Sequence, residues 1–238
     1  MNKLIFLDTE ATGNDVTKDR LCQVCYQLDD KYYTEYFKPP VPVSIKAMSI
    51  TNITNKMLED KPVFEGSKMK KDLEKMFADG DILVAHNARF DSAMLEAEGV
   101  SVSKYICTFR VARNLDQDNQ IPEYNLQFLR YYLDLDVGDV VAHDAEGDVK
   151  VLRALFDRLL EKMIKESGSK EKAIEDMMDV SSRPILFKRF TFGKYKDQPI
   201  EEIVKIDRGY LEWFLNRKLE DGGQDEDWVF TLRYYLNQ

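Results

Sequence analysis

The sequence has only three cysteines, Cys22, Cys25 and Cys107, and only two histidines, so it offers neither a disulfide framework nor a four-ligand zinc site. Cys22 and Cys25 lack a second close pair of cysteines or histidines and are expected to be strand residues in a reducing compartment. Apolar runs never approach the ~20 residues needed to cross a bilayer. The N-terminus enters a strand-like segment without the layout of a secretion signal, so an intracellular, cytoplasmic protein with no membrane partner is the expectation. Positive charge is short as well: 34 Lys and Arg against 43 Asp and Glu give a net charge of −9. That balance excludes a protein that coats nucleic acid by bulk electrostatics, though not one that grips a few nucleotides through bound cations. Repeats and low-complexity tracts are absent. With 44% hydrophobic residues, 238 positions suffice for one large domain, or for one of about 160 residues and a small second one.

What is present is acid in a pattern. Asp8 and Glu10 end the strand-like run Lys3-Leu4-Ile5-Phe6-Leu7, and period two places both carboxylates on one face. A few ångströms apart they repel by roughly 1 kcal/mol in water and about 4 at an effective dielectric near 20, so the pair calls for a cation. Two further clusters, His86-Asn87-Ala88-Arg89-Phe90-Asp91 and His143-Asp144-Ala145-Glu146-Gly147-Asp148, use both histidines of the chain.

Periodicity predicts a central strand over 4–7, a hairpin of 21–28 with 31–37 around Asp29-Asp30, short helices in 45–58 and a helix over 64–77. A strand at 82–85, a helix from Phe90 ending at the left-handed cap Gly99, a short strand at 105–108 and a helix at 126–133 follow. The longest helix is expected from about Ala145 to Lys165, with Val151, Leu152, Leu155, Phe156, Leu159, Leu160, Met163 and Ile164 on its apolar face. This order fits an α/β fold, a mixed sheet covered by helices, over residues 1–165. Polar, interrupted sequence over 166–183, around a short helix candidate, reads as a linker, and 184–238, which holds Trp213 and Trp228, reads as a small folded C-terminal accessory domain.

Asp8, Glu10, Asp91 and Asp148 form a set of hard oxygen ligands without thiolate, which suits Mg²⁺ or Mn²⁺. Two such ions about 4 Å apart can clamp the attacking and leaving oxygens of a phosphodiester. An imidazole can take the proton of the attacking water near neutral pH, and His143, five residues before Asp148, is placed for that. His86, just after an apolar strand, reads as a positioning or core histidine and is the rival for general base. Asn87 reads as a brace for the turn before Asp91, open to a substrate contact, and Asp144, which competes with Asp148 as a ligand, as a helix cap or solvated acid.

The three motifs, Asp-x-Glu, His-Asn-Ala-x-Phe-Asp and His-x-Ala-x-x-Asp, resemble those of the DnaQ-like, DEDDh class of 3′-to-5′ exonucleases over residues 4–160. Within that class the chain resembles the bacterial exodeoxyribonuclease X family, through Ala47-Met48-Ser49-Ile50-Thr51, Tyr105-Ile106-Cys107-Thr108 and the tail segments 190–195 and 209–213. The resemblance implies a ribonuclease H-like fold and hydrolysis of DNA from 3′ ends, single-stranded or duplex, to nucleoside 5′-monophosphates in repair or replication. It implies two Mg²⁺ ions, replaceable by Mn²⁺: Asp8, Glu10 and Asp148 holding the first, Asp8 bridging to the second, Asp91 acting mainly through water, and His143 as general base. It further implies that Ala11, Thr12 and Gly13, with Asn87, meet the terminal nucleotide. Ala11 stands where many relatives carry Thr. The rival readings are an RNA-trimming or polymerase-proofreading relative and a non-catalytic nucleic-acid-binding protein. In the tail, Lys188, Arg189, Lys194 and Lys196 interleave with Phe187, Phe190, Phe192 and Tyr195, which serve either a nucleic-acid grip or a small core with a solvated face.

Overall fold

The computed structural model describes residues 2–116, 120–138, 144–190, 192–220 and 225–237. Five strands among them form one sheet in the order β3-β2-β1-β4-β5. β1 (Leu4–Ala11) lies at its centre, antiparallel to β2 (Leu21–Leu28) and parallel to β4 (Ile82–Ala85). β2 continues into β3 (Lys31–Tyr36) through a tight turn in which Asp29 takes a left-handed φ of 54°. Short helices α1 (Ile45–Thr51) and α2 (Asn55–Leu58) and the longer α3 (Lys68–Ala78) separate the hairpin from β4. Each starts at a Ser or Thr cap whose hydroxyl accepts a backbone N–H, as at Ser67.

After β4 come α4 (Ala88–Ala97), β5 (Tyr105–Cys107), parallel to β4, and α5 (Thr108–Leu115). Next are α6 (Leu126–Tyr132) and the 23-residue α7 (Ala145–Ser167). Ile5, Leu7 and Ala11 of β1 join Leu73, Phe77, Met94 and Leu95 of α3 and α4 in one buried core. On the opposite face Phe6 meets Phe156 of α7 edge-on, ring centroids 5.1 Å apart. The apolar face expected for α7 is buried from Val151 to Met163, with Ile164 half-buried.

The stretch 166–183 differs from the expected linker, being largely helix. α8 (Lys170–Ser182) buries Ala173, Met177 and Ser181, one turn apart, and Cys107 of β5 donates its backbone N–H to the Ser181 hydroxyl at 2.7 Å. A polar sequence with one apolar or small residue per turn can pack a helix on one narrow stripe, and composition alone does not reveal that stripe. By packing, Met1–Leu115 with Glu123–Ser181 make one compact unit, and Asp116–Pro122 with Ser182–Gln238 make another.

The second unit holds α9 (Ile200–Ile206), α10 (Arg208–Glu220) and α11 (Glu226–Leu236). Its core includes Phe187, Phe190, Ile203, Leu211, Phe214, Trp228 and Leu232. Thr231 ties the entering chain to α11: Phe187 N–H donates to its hydroxyl at 2.9 Å, and the hydroxyl donates to Ile185 C=O at 3.1 Å.

Candidate active site

Because side chains alternate along β1, Asp8 and Glu10 share the face on which Phe6 meets α7. Helix α7 brings the third acid. Asp144 caps its start, accepting the Gly147 N–H, and Asp148 follows in the first turn, where the exposed backbone N–H groups favour a negative charge. Asp8, Glu10 and Asp148 each offer a carboxylate oxygen, all within 4.8 Å of one another.

β2 helps set that start. Gln23 pairs across from Glu10 and so faces α7; its amide donates to Asp144 at 3.0 Å and its carbonyl accepts the Ala145 N–H at 3.4 Å. From α6, Gln127 donates to Asp148 Oδ1 at 2.6 Å. Asp91, in the first turn of α4, is buried and held by Thr9, whose backbone N–H (3.1 Å) and hydroxyl (2.8 Å) both donate to Asp91 Oδ1. Thr9 lies between Asp8 and Glu10 but on the other face of the strand, so three consecutive residues of β1 serve acids from both layers. Thr9, Gln23 and Gln127 escaped the sequence reading; only Thr9, flanked by the two acids, carried a local signal.

The acids repel one another. Burial, then repulsion from Asp91, Glu10 and Asp148, holds Asp8 well above the usual carboxylate range. Burial, followed by Asp148, Asp91 and Asp144, pushes Glu10 up to about 8. Burial also raises Asp91, against the lowering effect of its bonds from Thr9. Among the described residues, the charges that raise Asp8 and Glu10 are all carboxylates. A converging set of hard oxygen donors with excess negative charge fits a divalent cation.

His86 is committed elsewhere. Its Nε2 donates to the Tyr124 carbonyl at 2.7 Å, which leaves Nδ1 to accept from the Thr108 hydroxyl at 2.9 Å, and burial lowers its pKa to about 4. With both nitrogens engaged it is a positioning residue, as expected. His143 lies outside the described residues. Asn87 adopts a left-handed φ of 69° at the head of α4 and makes no side-chain cap, a conformation Asn tolerates better than most residues.

Around the first motif the strand end is tied down. Ala11 is buried. Thr12 donates its N–H to Arg20 C=O and its hydroxyl to Asp19, and accepts from Ser44 N–H. A Cβ on Gly13 would lie 2.4 Å from the Asp19 carboxylate, so glycine serves the close approach of Asp19.

Family comparison decides what this cluster belongs to. Residues 5–156 match the model of the family described as Exonuclease, and residues 190–218 match the exodeoxyribonuclease X-like C-terminal model. The chain belongs to the exonuclease family. It is 31% identical over 205 residues to exodeoxyribonuclease 10 of Escherichia coli strain K12, covering 84% of this chain and 82% of that one. In structure it resembles exonuclease X in complex with 5′ overhanging duplex DNA, with a TM-score of 0.57 and 25% identity over 75% of this chain and 99% of that one. The nuclease domain of 3′hExo, a DEDDh family member bound to rAMP, shares the fold at a TM-score of 0.53 and 16% identity, over 68% of this chain and 92% of that domain. This exonuclease is therefore a DnaQ-like 3′-to-5′ enzyme on a ribonuclease H-like fold, as its motifs indicated. Its family implies divalent metal ions and a nucleic-acid substrate, and its donor set fits such ions. No helix among the described residues is long and apolar enough to cross a membrane.

Proposed function

We propose that this exonuclease removes nucleotides from 3′ ends of DNA as nucleoside 5′-monophosphates, in cytoplasmic repair or replication. The observation that carries the reading is the convergence of Asp8, Glu10 and Asp148, each with a carboxylate oxygen within 4.8 Å of the others. In this reading Asp8, Glu10, Asp91 and Asp148 hold two Mg²⁺ ions, and Mn²⁺ substitutes. Bound there, the ions neutralise the phosphate and stabilise charge on the attacking and leaving oxygens. Thr9 fixes the buried Asp91, Gln127 orients Asp148, and Gln23 fixes the helix start that carries it. His143 takes the proton of the attacking water, a role that both nitrogens of His86 are too engaged to share. The backbone of Ala11, Thr12 and Gly13, with Asn87, meets the terminal nucleotide, and the bonds of Thr12 to Asp19, Arg20 and Ser44 hold that strand end. Exodeoxyribonuclease 10 supports the DNA assignment by name and by likeness over both matched regions. We also assign residues 1–165 to a catalytic domain and 184–238 to an accessory domain, a division supported by the separate packing of the two units.

The test is digestion of 5′-labelled single-stranded DNA, duplex DNA and RNA with Mg²⁺, beside Asp8→Ala and His143→Ala. Stepwise shortening from the 3′ end, lost in chelator and in both variants, is expected. A 5′-to-3′ pattern, equal activity in chelator or full activity of Asp8→Ala would overturn the reading, and preferential digestion of RNA would overturn the DNA assignment.

A further inference from the structure

The second unit buries Phe187, Phe190, Tyr195, Phe214 and Trp228 but leaves four aromatic side chains exposed, Phe230 and Tyr234 on α11 and two more around Phe214. Trp213 on α10 is 58% exposed and Phe192 is 42% exposed. Both pack against the buried Phe214, whose ring lies 5.7 Å from Phe192 and 6.4 Å from Trp213. A second line of rings reaches Trp213 from the 3₁₀ turn Gly193–Tyr195: the Lys194 ammonium lies 4.6 Å from the Tyr195 ring, Tyr195 is 5.0 Å from Tyr210, and Tyr210 is 5.6 Å from Trp213.

Cations border the same loop. Arg189 and Lys196 are exposed on its two flanking segments, which are joined where Asp197 N–H donates to Phe190 C=O. The Arg189 guanidinium donates to the Asp197 carbonyl, and among the described residues neither Arg189 nor Lys196 is paired with a carboxylate. Residues 185–196 hold four cations and no acid in a chain of net charge −9. A core that needed aromatics only for packing would bury Trp213, and while Lys194 is paired with Asp207 at 3.2 Å, Arg189 and Lys196 stand within three or four residues of Phe192 in sequence. Flat exposed rings beside positive charge match the chemistry of unpaired bases on a phosphate backbone.

We propose that this face of the C-terminal unit is a docking surface for single-stranded DNA, with bases stacking on Trp213 and Phe192 and phosphates meeting Arg189 and Lys196. The proposal rests on the DNA reading of the substrate, but binding in chelator reads it without any cleavage.

The experiment uses the full chain, a fluorescein-labelled thymidine oligonucleotide and EDTA, with fluorescence anisotropy over a salt series. Trp213→Ala and Phe192→Ala, both at exposed positions, should each weaken binding about tenfold. Arg189→Gln with Lys196→Gln should flatten the slope of log affinity against log salt by about 1.4. In Trp228→Phe protein, where Trp213 is the one remaining tryptophan, the oligonucleotide should quench emission. All variants should hydrolyse the p-nitrophenyl ester of thymidine 5′-monophosphate with Mg²⁺ at the parent rate, which marks an intact catalytic unit. Unchanged affinity and salt slope in these variants would overturn the proposal, as would a sedimentation change showing that the aromatic face joins two copies of the chain. Absent ester hydrolysis in the parent would count against the exonuclease reading and leave the binding result standing.

Discussion

Raising the pH without divalent ions should destabilise the folded protein, and restoring the ions should reverse the loss. The cause is Glu10, lifted from an ordinary 4.5 to about 8 by burial and by Asp148, Asp91 and Asp144. Below about pH 4.5 this acid is protonated in folded and unfolded chains alike. Above it the unfolded chain releases the proton while the folded chain holds it, so stability falls with rising pH until about 8. His86, lowered to about 4, works the other way up to its unfolded value near 6.5, and the thiols of Cys22 and Cys25, raised to about 12, add a further loss above pH 8. The clean window is therefore pH 6.5 to 8. Across it Glu10 alone contributes a loss of ~1.5 kcal/mol at about 1.4 kcal/mol per pH unit, or ~3–6 °C in Tm for a chain of this size. Asp8, and Asp91, which burial raises to about 7, act in the same direction. Mg²⁺ at a hundredfold excess over its Kd should return about 2.7 kcal/mol. Scanning calorimetry in EDTA at pH 6.5 and 8, repeated with Mg²⁺ and with Glu10→Gln, measures all three quantities. The variant should lose less stability across the window and be more stable than the parent in EDTA at pH 8. A parent Tm that is level or rises from pH 6.5 to 8 in EDTA, or is indifferent to Mg²⁺, would refute the electrostatic account of the site.

Thr9→Val deletes the 2.8 Å hydroxyl bond to Asp91 at constant shape and keeps the backbone bond; a lost bond to a charged group of about 1.5–3 kcal/mol should appear as a fall of roughly tenfold or more in kcat with KM little changed. Gly13→Ala should cost about 1–3 kcal/mol in urea denaturation, because the new Cβ displaces the Asp19 carboxylate from Thr12 and Asp15. The loss should shrink in Gly13→Ala with Asp19→Ala. His86→Phe should lower stability by about 1–3 kcal/mol through the partners left at Thr108 and Tyr124, while the pH profile of kcat keeps its shape; a displaced acidic limb would give His86 the proton-transfer role. With few cations to hold the polymer over long range, a trap experiment should find only short tracts removed per encounter.

What sequence could show follows from the range of each interaction. Asp8 and Glu10 were readable as a same-face pair because strand period two acts within three residues. Asp148 was readable from the spacing of the His-x-Ala-x-x-Asp motif, which set it apart from Asp144 four residues before it. Gln127 was not, since its bond to Asp148 joins two helices whose packing no local pattern encodes. Helix α5 was missed: it is short, and its buried face includes Thr108 and Arg110 beside Val111 and Ala112, which breaks the apolar stripe. In 166–183 the helix candidate was readable, but not that α8 docks by one residue per turn. Both tryptophans marked the tail as folded, but its helices α9–α11, rich in charged residues, went unplaced.

The two-faced use of β1 has a consequence for how the chain assembles. A one-residue slip of β1 against its neighbours would turn Asp8 and Glu10 into the layer of Leu73, Met94 and Leu95 and turn Leu7 and Thr9 toward α7. Unpaired carboxylates would then be buried among aliphatic side chains, at several kcal/mol each. A misaligned strand therefore fails as a structure before it can fail as an enzyme. Molecules that complete folding carry the acids in working alignment, so the activity of a preparation should track its folded fraction without a separate maturation step.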